Sequence, residues 1–252
     1  MPGGRLGARS AKSYAEDGLD DFPTASRLTA IGWIRAMAGN EGGGSQPHLF
    51  ETDGGFYTVK TRNNPQGERV LANELVGGLC LDWMGIKHPA SAVVDIPADV
   101  ITDSPSARFS DGNQLQNGLA FGSEYWQSDP GGTVDISLIV NRADAGATLV
   151  VDTWLPQHDS RQYRLRASST IPGRYEYIPV EQGHCFGQPG WTASELAERT
   201  DVGIRPCPLP LNTDEIRASI ERLRKFQSAH AAHIVDQVPE EWLGADERLG
   251  QL

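Results

Sequence analysis

Between His48 and Trp83 the apolar residues change their period from two to four, which fixes the order strand, turn, strand, helix for this stretch. HLFET and GFYTVKT are β-type runs on either side of Asp53-Gly54-Gly55. A D-G-G tip between two such runs predicts a hairpin with Lys60 on its second strand. Beyond Asn63-Asn64-Pro65, the residues Leu71, Leu75, Leu79 and Trp83 stand four apart, one face of a helix that Gly85 and Pro89 end.

The remaining segments are read in the same way. SAVVDIPADVI predicts a further strand, and the polar stretch from 101 to 120 predicts a loop. In the second half ADAGATLVVDTWLPQHD reads as a buried helix and RYEYIPVEQGHCF as paired short strands ending in a turn. Asn212 or Thr213 as a cap, Asp214 and Glu215 in the first turn, then Ile216, Ile220, Leu223 and Phe226 predict one long closing helix. Residues 1 to 25 are rich in Gly, Ser, Asp and Ala and are expected to form a flexible tail. Strands first and helices later predict an α+β protein in two lobes, a β-rich one over 26–122 and a helical one over 123–252.

The charge narrows the function classes. A formal net charge of -11, with no run of Lys or Arg longer than two, offers no basic surface for phosphate neutralisation, so direct nucleic-acid binding is not expected. The apolar runs fall far short of the ~20 residues that span a bilayer, so no membrane segment is expected. The first residues lack the apolar core of a secretory signal, which makes the cytoplasm the expected location. Cys80, Cys185 and Cys207 are widely spaced and predict reduced thiols rather than a disulfide framework or a zinc site.

Four short segments carry chemistry-bearing residues. GNEGGGSQPHLF places Gly43, Gly44 and Ser45 before a strand, where small residues let backbone N–H groups approach an anion; a plain flexible loop is the alternative. Lys60 ends FYTVK, with Glu74 fourteen residues on inside the next helix. A strand lysine held by a helix carboxylate is how protein kinases fix an ammonium against ATP phosphates, whereas the plain reading is a solvated surface lysine. Asp159, after the helix of DTWLPQHD, has the placing of a catalytic base towards a hydroxyl, or of a turn cap. Glu181, in IPVEQGHCFG, follows a β-type run at a turn, where a carboxylate suits Mg²⁺. The adjacent His184 and Cys185 are read as packing residues, because neighbours on a strand point to opposite faces.

Taken in order, GGGSQPHLF, FYTVKTRNNPQGERVLANEL, FGSEYW, VVDTWL and EQGHCF with Trp191 resemble the bacterial HipA-like kinases, in particular their short stand-alone members. The resemblance spans roughly residues 28 to 243 and implies a protein-kinase-like two-lobed fold that binds ATP and Mg²⁺. By that resemblance Lys60 would contact ATP phosphates, and Gly43, Gly44 and Ser45 would lie in the phosphate loop. Glu74 would be the partner of Lys60, Asp159 the catalytic base and Glu181 the Mg²⁺ carboxylate.

Two positions depart from the pattern. Kinases carry an Asn five residues after the catalytic Asp to hold a second metal ion, but Arg164 stands here and cannot ligate Mg²⁺. Gln162 is the nearest neutral oxygen donor and is the expected substitute. Glu181 replaces an Asp, which moves the carboxylate by about 1.5 Å. The function so implied is ATP- and Mg²⁺-dependent phosphotransfer to a protein Ser or Thr or to a small hydroxylated molecule. The alternative is a pseudokinase that binds nucleotide or a partner without transfer, and nucleotidyl transfer is a third reading. HipA toxins carry an extra amino-terminal subdomain for which the short leading segment is expected to leave no room, so a toxin role is not implied.

Overall fold

In a computed structural model, residues 22–37, 44–126, 135–198, 209 and 211–243 are described. The expected tail lies outside them up to residue 21, and Cys207 lies outside them as well. Residues 22–25 are anchored: Phe22 stacks on His230 at 5.1 Å, and Gln237 accepts from the Ala25 N–H at 2.8 Å while donating to the Pro23 carbonyl at 3.0 Å. One aromatic ring among polar residues is enough to fix the end of a segment whose composition reads as unstructured.

Five strands close into a barrel in the order β1 (Ser26–Ala36), β2 (His48–Thr52), β3 (Gly55–Lys60), β5 (Gly118–Glu124) and β4 (Ser91–Ile96). The predicted hairpin is β2 and β3, with Thr52 opposite Gly55. Closure comes from β1 running parallel to β4, with Leu28 opposite Val94. Phe50, Val59, Val94, Ile96 and Ala120 form one buried cluster with Ile101, Ala107, Phe109 and Leu115. The 101 to 120 stretch therefore lies against the barrel's own core. Its start also differs from expectation, because Pro97 stops the strand at Ile96 and leads into α2 (Ala98–Thr102). Proline has no N–H to give the ladder. The barrel strand β5 runs to Glu124, so the expected division after residue 122 falls inside it.

The helix α1 (Arg69–Trp83) is buried on nearly every side rather than along one stripe. Leu71, Leu75 and Leu79 pack with Val93 and Phe121 of the barrel and also with Val151, Cys185, Ile234, Trp242 and Leu243. At about 1.5–3 kcal/mol for each fully buried large apolar side chain, this cluster is the main apolar anchor between the barrel and the rest of the chain.

After the barrel come α3 (Arg142–Trp154), the two-stranded sheet of β6 (Gln162–Ala167) with β7 (Tyr175–Val180), and the short α4 (Ala193–Glu198). The expected single closing helix is two helices, α5 (Thr213–Leu223) and α6 (Ser228–Val235). Asn212 caps the first by accepting from Asp214 N at 2.9 Å. The break lies at Phe226, which sits edge-on to Trp83 at 5.0 Å, and His230 Nδ1 accepts from Gln227 N at 2.9 Å. That side chain satisfies an N–H at the start of α6 and makes the restart favourable. Among the described residues no helix is long and apolar enough to cross a membrane, and the architecture is mixed α+β.

His48 opens β2 and is buried, with Nδ1 accepting from Trp33 Nε1 at 3.1 Å. Burial lowers its imidazole from 6.5 to about 4. Between those values the unfolded chain takes up a proton that the folded chain refuses, so this contribution is complete above 6.5 and is lost as pH falls towards 4. At about 1.4 kcal/mol per pH unit of differential protonation, the loss on going from pH 7 to pH 5 is about 2 kcal/mol. His48→Gln keeps an acceptor for Trp33 and cannot titrate. Denaturant unfolding at the two pH values is expected to show a smaller drop for the variant by about that amount. Equal drops would assign the acid sensitivity to other groups.

Candidate active site

Lys60, the last residue of β3, points at α1. Its Nζ donates to Glu74 Oε1 at 2.5 Å and to Glu181 Oε2 at 2.6 Å, so three residues from separate segments meet at one ammonium. Lys60 and Glu74 are 5% and 4% exposed, and Glu181 is 38% exposed. The cluster therefore has a closed side and an open side. Burial alone would lower the ammonium, but Glu181 and Glu74 outweigh it and hold it above its usual range. Burial raises the Glu74 carboxyl in spite of Lys60. Lys60 holds the Glu181 carboxyl below the usual carboxylate range against the opposing effect of burial. Of the two carboxylates, Glu181 is the one that reaches the open side.

Backbone conformation sets the aim of Glu181. Its φ is +63°, a left-handed value that non-glycine residues adopt at a cost. Two side chains hold its carbonyl: Gln157 Nε2 donates at 3.0 Å and Arg161 Nη1 at 3.1 Å. The next residue is tied to the helix, with Gln182 N donating to Glu74 Oε2 at 2.8 Å. Asn73, one residue before Glu74 and fully buried, donates to the carbonyls of Gly183 and Cys185 at 2.8 and 3.0 Å and accepts from Trp191 Nε1 at 2.7 Å. The loop after β7 is thus stitched to α1 directly after Glu181.

Asp159 lies half-buried on the loop between α3 and β6, where its Oδ1 accepts from Ser160 N at 2.7 Å. It is not bonded to the Lys60 cluster. Its loop is nevertheless clasped to Glu181 from both ends, since Gln157 stands two residues before it and Arg161 two residues after. Gln162 is exposed at the start of β6, opposite Val180, and makes no bond to the cluster. Arg164 is exposed on the same strand, and its charge helps to lower Glu181.

Of the Gly-rich segment only Gly44 and Ser45 lie within the described residues, and beside them Met37 N donates to the Pro47 carbonyl at 3.1 Å. Gly43 lies outside the described residues. Gly44 has φ +67°, Ser45 is buried, and Gln46 has φ +44° with its Oε1 accepting from Ser110 N at 2.8 Å. His184 and Cys185 pack as expected: the imidazole meets Gln66 Nε2 at 3.1 Å, and the thiol is buried and raised well above its usual value by burial.

Four side chains at the site carry no sequence signal. Arg161 and Asp152 form a buried pair in which one edge of the guanidinium, Nε and Nη2, reaches the carboxylate, and Asn73 and Gln157 are buried neutral amides. Asp152 is thereby occupied by Arg161. Among the described residues no group of three or more His, Cys, Asp or Glu is gathered as a metal cage. A groove of about 590 Å³ lined by Asn63, Thr102, Arg108, Gln114 and Asn117 includes none of Lys60, Glu74, Asp159 and Glu181.

Strand lysine, helix glutamate, loop aspartate and post-strand carboxylate follow the order of a kinase. No protein-family model matches the chain, and no curated protein matches it. Among solved structures it is similar to the crystal structure of the Helicobacter pylori proinflammatory kinase CtkA, with a TM-score of 0.50 over 87% of this chain and 92% of that chain. Its fold is similar to that of a kinase. Identity is 13%, so the likeness concerns fold and does not carry function.

The close approach of the Glu181 loop to α1 depends on Gly183. A Cβ there would stand 2.5 Å from Val70 Cγ2 and 3.0 Å from Glu74 Oε1. Val70 is fully buried in the core and has little room to yield. Gly183→Ala is expected to destabilise the chain by about 1–3 kcal/mol, as overpacking does, with partial recovery in Gly183→Ala/Val70→Ala. Chemical denaturation measures both, and a Gly183→Ala chain as stable as the parent would contradict the packing.

Proposed function

We propose that the chain is a two-lobed, HipA-like ATP- and Mg²⁺-dependent phosphotransferase, with the barrel as one lobe and the helical part from about residue 123 as the other. The observation that carries this reading is the meeting of Lys60, Glu74 and Glu181 at one partly open cluster, beside the loop that bears Asp159. The likeness in fold to a kinase agrees with it.

The residues present fit a nucleotide and its metal. A nucleotide-borne Mg²⁺ is held by one or two carboxylates, with phosphates and water completing its shell, and the half-exposed Glu181 supplies such a carboxylate. Bound there, Mg²⁺ would neutralise charge on the phosphate oxygens. Lys60 would turn from Glu181 towards a phosphate while Glu74 keeps its ammonium in place. The Gly44 and Ser45 turn would present backbone N–H groups to the phosphates. Asp159 would accept the proton of the attacking hydroxyl, from a protein Ser or Thr or a small molecule, as its oxygen bonds to the transferred phosphorus and ADP leaves.

Arg164 favours a second reading, a pseudokinase that binds nucleotide without transfer, because a cation stands where a second metal ligand is usual and acts on Glu181. The two readings separate at Glu181→Asp. An enzyme adapted to the longer side chain loses transfer on shortening, whereas a decayed site gains Mg²⁺ affinity or transfer, most of all with Arg164→Asn.

ATP with Mg²⁺ at 100 times its dissociation constant is expected to stabilise the chain by about 2.7 kcal/mol, read as a raised melting temperature. Lys60→Met/Glu74→Gln, which removes the buried charges together, should abolish that rise. Asp159→Asn should keep it while reducing transfer by ~10²- to 10⁴-fold, measured by intact mass of acceptor proteins or by ADP release. Absence of any stabilisation by ATP, ADP or their Mg²⁺ complexes at millimolar levels would defeat both readings.

A further inference from the structure

Arg161 is the most heavily engaged side chain near the site, and phosphotransfer as set out above gives it no task. Its side chain is 4% exposed. Nε and Nη2 both reach the Asp152 carboxylate, the first at 3.0 Å. On the other edge Nη1 donates to the carbonyls of Val180 and Glu181 at 2.9 and 3.1 Å and to Gln182 Oε1. One planar group therefore joins α3, the Asp159 loop and three consecutive residues around the left-handed Glu181.

We infer that Arg161, anchored by Asp152, is a positioning residue that holds Glu181 in its left-handed conformation and so aims its carboxylate at Lys60 and at a nucleotide-borne cation. The first part stands on contacts alone, and the second rests on the nucleotide reading.

A left-handed non-glycine residue persists only when its surroundings over-determine it. At Glu181 the determinants are the Gln157 and Arg161 bonds to its carbonyl, the Gln182 N–H on Glu74 and the carboxylate on Lys60. Of these donors Arg161 alone also bonds the residue on each side of Glu181, through the Val180 carbonyl and Gln182 Oε1. A guanidinium has a fixed fork of five N–H donors, so fastening one edge to Asp152 fixes where the other edge points. An ammonium at this place is a point charge and cannot span both sides. A buried ion pair gives little net stability over well-packed apolar groups, which leaves geometry as the role of this one. Groups that orient a metal ligand without touching the metal change affinity by ~10- to 100-fold when removed.

The test uses the full chain with Asp152→Asn/Arg161→Gln, which removes both buried charges together, and with Arg161→Lys, which keeps the charge and loses the fork. Crystal structures of the variants are expected to show Glu181 out of the left-handed region and its carboxylate off Lys60, with the Lys60–Glu74 bond kept. Glu181 unchanged in the variants would overturn the inference. If the double variant does not fold, Arg161→Lys decides alone, and a lysine that restores the parent geometry would also overturn it. In solution, the Mg²⁺ concentration needed for half of the ATP-dependent thermal shift should rise ~10- to 100-fold while metal-free ATP binding stays as in the parent. Equal losses with and without metal would mark Arg161 as part of the general scaffold and overturn the positioning role. A parent chain with no ATP response defeats the phosphotransferase reading instead, and the crystallographic result then decides this inference by itself.

Discussion

A lysine ammonium buried between two carboxylates constrains the rest of this molecule. Taking such charges out of water costs several kcal/mol each, and the cost is recovered only where opposite charges meet at hydrogen-bond distance. Lys60, Glu74 and Glu181 come from a barrel strand, a helix and a loop more than a hundred residues further on. All three must be placed to within a fraction of an ångström, so the apolar packing of α1 against the barrel and against the segments around Cys185 and Trp242 serves one geometric purpose. The cluster carries one cation and two anions, and burial divides them. Glu74 is enclosed and raised, Glu181 is half open and lowered. Glu181 is the carboxylate of the pair that solvent can reach.

Positive-φ backbone is concentrated in the loop after β7 that carries Glu181. The non-glycine residues with positive φ among the described residues are Gln46, Glu181 and Phe186, one beside the Gly-rich turn and two in the loop after β7. Each is held from outside: Gln46 through Ser110 N, Glu181 through Gln157 and Arg161, and Phe186 through its N–H on the Leu155 carbonyl at 2.7 Å. Sparsely populated backbone conformations concentrate where surroundings fix a geometry that local preference would not choose. At Glu181 a buried amide and a buried guanidinium together satisfy the carbonyl and hold the backbone.

What the sequence revealed follows the range of the forces involved. The β2–β3 hairpin, α1 and the Asn212 cap are local, and the D-G-G tip, the four-residue period and the Asn-x-Asp spacing announce them. The closing strand β1 is different. Two irregularities, between Ala30 and Gly32 and between Trp33 and Arg35, break its period of two, and its partner β4 lies more than sixty residues away. No window of ten residues holds that information. At the site, Lys60 and Glu74 were legible as a strand lysine and a helix carboxylate, and the structure brings them together. Gln162 was chosen for its oxygen and its nearness in sequence to Asp159, yet it ends exposed and apart from the cluster. Arg161, on the loop before the strand, is drawn in by Asp152 and the Glu181 loop, while Gln162 opens β6 on its exposed face. Arg161 and Asp152 stayed hidden because an arginine and an aspartate nine residues apart look like surface charge until the loop after α3 turns Arg161 back onto Asp152.

The longer carboxylate at 181 belongs to this arrangement. A glutamate places its carboxyl about 1.5 Å further from its backbone than an aspartate would. Here that reach is used, since the side chain leaves a left-handed backbone clasped by Gln157 and Arg161 and still arrives 2.6 Å from Lys60 Nζ. Reach and backbone conformation are therefore coupled: a shorter side chain on the same backbone would leave the ammonium to Glu74 alone, and the same side chain on a relaxed backbone would point elsewhere. The length of the side chain and the clasp form a single solution to placing one charge.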